Sequence, residues 1–147
     1  MTSFKTLLCA VDFSDTSEHA ASYAARLAKD NGATLHFMHV FELPMLALPD
    51  GAVLPTPEWT AGASDKLQRA LSDLARRYGS GLTVETHLIE GLPGTEIDRV
   101  ARDIGADAVI VGTHGRSGIA HLFLGSVAER IIRASSVPVI AVPSKSA

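Results

Sequence analysis

The 147-residue chain predicts a doubly wound α/β fold, an open parallel sheet with helices on both faces. Three observations carry that reading. Short apolar runs alternate along the chain with segments whose apolar residues recur every three or four positions, strand against helix. The runs are continuous and not alternating, as in strands buried on both faces. Between successive runs there is room for a helical crossover, which parallel strands require and which returns right-handedly onto the sheet.

The first strand is the run Thr6 to Val11, ending at Asp12. A helix follows, with Asp15 and Glu18 at capping-box spacing and Ala20, Tyr23, Ala24 and Leu27 on one face until Asn31-Gly32 stops it. Thr34 to Phe41 is the second strand. From Glu42 to Trp59 prolines stand at 44, 49, 55 and 57, with Asp50-Gly51 between them, so the expectation is a long irregular loop. The second helix starts near Pro57 or Ala63, presents Leu67, Ala70, Leu71, Leu74 and Tyr78, and ends at Gly79 and Gly81. Leu82 to Ile89 is the third strand. A Gly91-Leu-Pro-Gly94 turn opens a short third helix with Ile97, Val100, Ala101 and Ile104 inward. Ala108 to Val111 is the fourth strand, Gly112 to Gly125 a glycine-punctuated loop, Ser126 to Ala134 the fourth helix, and Val137 to Val142 the fifth strand. No internal repeat or low-complexity segment interrupts the order, and a single domain over residues 1–147 is expected.

Composition narrows the function. Hydrophobic residues make up 46% and charged residues 20%, the balance of a globular domain, while aromatics at 5% leave a core of Ala, Val, Leu and Ile. A net charge of -3 and a pI near 6.0 supply no attraction to nucleic-acid phosphates or anionic membranes, so neither is expected as a partner. Cys9 is the sole cysteine, which excludes an intramolecular disulfide and fits a reducing compartment. The apolar run before Asp12 is too short for a signal-peptide core, and no stretch approaches the roughly 20 apolar residues of a membrane span. A cytoplasmic location is expected.

In an open parallel sheet, ligands sit beyond the carboxyl ends of the strands where the strand order reverses. Two segments occupy such positions: Asp12-Phe13-Ser14 after the first strand, and Gly112 to Ser126 after the fourth. Glycines there let backbone approach a ligand and adopt positive φ, and the free amides and positive dipole at the start of the fourth helix suit a phosphate. Polyphosphate binding follows as an expectation. A P-loop is excluded, because no G-x-x-x-x-G-K-[ST] occurs and no lysine lies between Lys66 and Lys145; G-x-G-x-x-G is absent too.

The spacing Gly112-x2-Gly115-x9-Gly125-Ser126, within Val111-Gly-Thr-His-Gly-Arg-Ser-Gly and Gly125-Ser-Val-Ala-Glu-Arg-Ile-Ile, resembles the ATP-binding signature of the universal stress protein family. Leu8-Cys-Ala-Val-Asp-Phe-Ser14 and Val137-Pro-Val-Ile-Ala-Val142 extend the resemblance over the whole chain as a single, non-tandem unit. It implies a strand order of 3-2-1-4-5 with the cleft between the first and fourth strands. It also implies ATP with magnesium as ligand: Ala10 and Asp12 against the adenosine, Val40 and Val111 lining the adenine slot, and Gly112, Gly115, Gly125, Ser126 and Val127 holding ribose and phosphates, with Arg116 adding charge. A homodimer through Val137 to Val142 is expected as well, since an apolar edge strand is a liability unless covered and the family pairs it with a two-fold mate.

Several residues have plainer readings. Asp12 could cap the following turn, Val40 and Val111 could be core residues, and Cys9 reads as a buried inert thiol. His36 and His39 point to opposite faces of a strand and cannot share a metal; His114 and His121 lack a carboxylate or cysteine to complete a set, so no metal site is expected. Asp12, Ser14, His114 and Ser126 have no recognisable catalytic partner, so no catalytic residue is assigned. The expected function is a nucleotide-dependent regulator in the stress response. The competing readings are a slow ATP hydrolase or an enzyme using an adenylated substrate, and an interaction module with an empty cleft.

Overall fold

A computed structural model describes residues 3–56, 62–113 and 124–144. In chain order the elements are β1 (Thr6–Ala10), α1 (Asp15–Asn31), β2 (Thr34–Phe41), β3 (Met45–Ala47), β4 (Val53–Pro55), α2 (Ala63–Tyr78), β5 (Val84–Glu90), α3 (Pro93–Asp103), β6 (Ala108–Gly112), α4 (Ser126–Ala134) and β7 (Val139–Val142). Five strands form one parallel sheet in the order β5-β2-β1-β6-β7. This is the expected arrangement, with the third, fourth and fifth strands of the sequence reading now β5, β6 and β7.

The helices divide between the faces as the apolar periodicity requires. Leu71 and Leu74 of α2 pack with Ala20, Ala24 and Ala28 of α1 against Leu7, Cys9, Leu35, Phe37 and Ile110. On the other face Ile97, Val100 and Ala101 of α3 and Ala128 and Ile131 of α4 cover Leu8, Met38, Val109 and Val111. Small alanines on α1 let that helix lie close to the sheet, and each large side chain buried in these layers contributes about 1.5–3 kcal/mol. Cys9 is fully buried, and desolvation pushes its thiol far up, which makes it inert.

Two expectations need correction. The segment 42–59 is not wholly irregular: β3 and β4 form an antiparallel hairpin. Its turn is tied by the Gly51 amide to the Leu48 carbonyl (3.0 Å) and the Leu48 amide to the Ala52 carbonyl (2.8 Å), with Gly51 at φ 89°. Asp50-Gly51 after Pro49 is turn chemistry, and the density of prolines masked it. The cap of α1 is Ser14, not Asp15: its hydroxyl accepts the Ser17 amide at 3.2 Å, and Glu18 pairs instead with Arg77 of α2. Strand ends differ from the sequence reading by up to two residues, and α2 begins at the second of its two expected starts.

Among the described residues no helix is long and apolar enough to cross a membrane.

Candidate functional site

The strand order reverses at β1, which has β2 on one side and β6 on the other. Beyond the carboxyl ends of these strands lies a cleft of about 190 Å³. Ala10, Val11 and Asp12 follow from β1, Met38, His39 and Val40 from β2, and Val111 and Gly112 from β6. Pro93 and Ile97 of α3 and Val127, Ala128 and Ile131 of α4 close the remaining wall. The lining is mostly aliphatic, with Asp12, Ser17 and His39 as its polar side chains, a surface suited to a flat apolar group with a polar edge.

The β1 end is built tightly. Asp12 Oδ1 accepts the Ser14 amide at 2.9 Å, and the Asp12 amide donates to Ser17 Oγ at 2.9 Å. Between them Phe13 takes φ 64°, a left-handed conformation that a bulky residue adopts only when its surroundings hold it. Its ring lies 4.7 Å from that of His39, whose Nδ1 is 2.7 Å from the Val11 carbonyl and so donates to it. Asp12 therefore shapes the turn, as its plainer reading held, while also facing the cleft.

The β6 end shows why a glycine follows Val111. A Cβ on Gly112 would come within 2.9 Å of Thr16 Cγ2 and 3.0 Å of the Thr16 carbonyl, so the first turn of α1 reaches the cleft only over a bare backbone. Thr113 then donates its amide to the Val142 carbonyl at 3.0 Å and accepts the Gly125 amide at 2.6 Å, which joins the two ends of the loop. Gly115 and Arg116, with His114 and His121, lie outside the described residues.

Gly125 departs from the expectation of positive φ. It is the N-cap of α4 with φ -61° and ψ 150°, extended backbone open to any residue, and its amide is committed to Thr113. The N-cap glycine has no side chain to cap this helix, and its ladder begins with the Glu129 amide on the Gly125 carbonyl at 2.9 Å. The amides of Ser126, Val127 and Ala128 precede that first bond and have no intrahelical acceptor, so the positive end of α4 opens at the rim of the cleft.

Of the expected site residues, Ala10, Asp12, Val40, Val111, Gly112 and Val127 meet in the cleft, while Gly125 and Ser126, which precede Val127 at the start of α4, are not among the lining residues. Sequence reasoning missed Val11, Ser17, Met38, His39, Pro93, Ile97, Ala128 and Ile131. Met38 was within reach, because it shares a strand face with Val40 two residues on. The α3 and α4 residues carry the periodicity of core positions, and only the crossovers bring them over the cleft.

The sequence profile of the universal stress protein family matches residues 3–143. The chain belongs to the universal stress protein family. A universal stress protein of Methanocaldococcus jannaschii is 30% identical over 141 residues, covering 95% of this chain and 82% of that protein. The solved structure of another protein of that organism superposes with a TM-score of 0.81 at 23% identity, covering 99% and 100% of the two chains, a likeness of fold. A universal stress protein of Archaeoglobus fulgidus solved in complex with dAMP has a TM-score of 0.63 at 26% identity, with 96% and 99% covered.

Proposed function

We propose that this universal stress protein binds ATP, with magnesium on its phosphates, in the cleft between β1 and β6, and acts in the cytoplasm as a nucleotide-dependent regulator of the stress response. The observation that carries this reading is the cleft itself: an aliphatic slot at the switch point of the sheet, walled on one side by the first turn of α4. In this reading Ala10, Val40 and Val111 flank the adenine and Asp12 meets the ribose. Gly112, Gly115, Gly125, Ser126 and Val127, helped by Arg116, surround the phosphates. The dAMP complex of the Archaeoglobus relative supports an adenine nucleotide as the ligand class. No described lining residue is a lysine or arginine, which favours binding over phosphoryl transfer. The protein works as a homodimer joined along β7.

Calorimetric titration of nucleotide-free protein with MgATP tests the site, using Val127→Asp as the variant. Val127 is 45% exposed on the first turn of α4, where a carboxylate stabilises the helix while repelling phosphates. The variant should fold at least as well as the parent and bind ATP at least tenfold more weakly. Equal affinity in both proteins would place the phosphates elsewhere, and no binding by the parent would end the proposal. Phosphate release in the same samples separates a regulator from a slow hydrolase.

A further inference from the structure

On the face of the sheet covered by α3, toward the amino ends of the strands, two histidines and a carboxylate converge. The register sets His36 beside Glu85 and Met38 beside His87, so all three side chains leave β2 and β5 on one face. His36 Nδ1 lies 2.9 Å from His87 Nε2 and 3.3 Å from Glu85 Oε2, and one donor atom from each residue falls within 4.8 Å of the other two. The imidazole planes are stacked at 18° with centroids 5.1 Å apart.

Counting protons shows what this cluster lacks. A neutral histidine pair shares one hydrogen in the contact between Nδ1 and Nε2, and the ionised carboxylate brings none. If His36 Nδ1 carries the hydrogen, it must serve both His87 and Glu85. If His87 Nε2 carries it, the bare Nδ1 faces the carboxylate lone pair to lone pair. Burial and the neighbouring ring lower the His36 value and burial lowers that of His87, while the Glu85 carboxylate pulls both the other way.

We propose that His36, Glu85 and His87 form a binding site for a divalent late first-row transition metal, of which Zn²⁺ is the probe. Metal–nitrogen and metal–oxygen bonds of about 2.0–2.2 Å put tetrahedral ligand atoms about 3.3 Å apart, close to the two contacts of His36 at 2.9 and 3.3 Å, while the exposed Glu85 side chain would swing toward His87, now within 4.8 Å, to close the third side. The cation accepts all three lone pairs that one shared hydrogen cannot satisfy. Imidazole nitrogen with a single carboxylate selects zinc, nickel or copper over magnesium and calcium, which prefer all-oxygen shells. Two histidines and a glutamate leave a fourth position for water. Access comes from the sheet edge, because β5 is the outermost strand and the Glu85 side chain is 61% exposed, whereas His36 at 7% anchors the inner side. None of the three residues lines the cleft, which begins at Met38, the residue beside His87 in the register.

Nucleotide-free, metal-stripped protein is titrated with Zn²⁺ alone by calorimetry, in parallel with Glu85→Gln and His87→Gln. The parent should take up one tight equivalent of zinc and gain in unfolding temperature with it, and each variant should lose at least tenfold in affinity and most of the thermal shift. Glu85→Gln is the safer reporter because its side chain is solvent-facing, and circular dichroism of both variants confirms the fold. Zinc uptake unchanged in Glu85→Gln and His87→Gln would place the metal on other histidines and overturn the assignment. Failure of the parent to bind micromolar zinc would leave the cluster a hydrogen-bonded pair, and overturn it equally.

Discussion

At the scale of single residues, the cleft depends on backbone that side chains would obstruct. Gly112 is the clearest case, since a methyl group on its α-carbon would lie 3.0 Å from the Thr16 carbonyl oxygen and 3.1 Å from the carbonyl carbon, neither of which can rotate away. Gly112→Ala should therefore destabilise the fold by about 1–3 kcal/mol, the usual cost of overpacking. Urea unfolding checks this, and adding Thr16→Ser should restore only part of the loss, because it removes Cγ2 and leaves the carbonyl; full restoration would show that the methyl alone is at fault. Phe13 makes the opposite point. Its φ of 64° sits between Asp12 and Ser14, and nothing in the residue type announces a left-handed turn, whereas Val111 and Gly112 could be read because they end an apolar run before a loop rich in glycine.

At the scale of elements, the caps and tethers decide how helices meet the cleft. Asp98 of α3 accepts the Ser136 amide at 2.7 Å and the Ser136 hydroxyl at 2.8 Å on Oδ1, while Arg102 Nε donates to Oδ2 at 3.1 Å. The tether joins α3 to the turn after α4, the two helices that wall the cleft. Hydrogen bonds from the Ser136 amide, then its hydroxyl, with help from Arg102, hold the carboxyl below its ordinary value. A depressed folded value means the stabilisation is complete above the normal carboxylate range, near 3.8, and fades as pH falls through and below it. Asp98→Ala should cost about 1–2 kcal/mol at pH 7, and the difference from the parent should shrink at pH 3. A difference that stays constant with pH would mean the carboxylate charge plays no part. The hairpin β3-β4 shows the limit of element reading: its turn was legible in Asp50-Gly51, but its strands have three residues each and present Met45, Leu46, Val53 and Leu54 to solvent, so no buried face marked them.

At the scale of the molecule, the sheet ends at β7, which among the described residues pairs only with β6. Val109 donates to the Pro138 carbonyl and Thr113 to that of Val142, so even-numbered residues bond inward and Val139 and Ala141 turn their backbone groups outward. The proposed dimer would use that outward row. Ile140 is a poor place to test it, because its side chain packs against the buried core cluster that also holds Val142, and a lysine there would probe folding. Ala141→Pro removes an outward amide while leaving the β6 ladder intact. Light scattering should give the parent twice the 15.5 kDa chain mass and the variant a single chain; a parent that is monomeric at micromolar concentration, or a variant that remains dimeric, rules out this edge.

Alternating strand and helix signals were enough for the α/β class, the five parallel strands and the two segments at their carboxyl ends, because buried strands and amphipathic helices write their periods locally. The resemblance of Gly112 to Ser126 to a known signature supplied the strand order and the choice of cleft. What the chain could not announce are the contacts made across crossovers. Pro93 and Ile97 reach the cleft because α3 folds back over β2, Gly125 proves to be an extended cap with a committed amide, and His36 finds Glu85 and His87 about fifty residues later only through the parallel register of β2 and β5. Those outcomes depend on which strands become neighbours and in what alignment, and that is set by the packing of the whole sheet and not by any single segment.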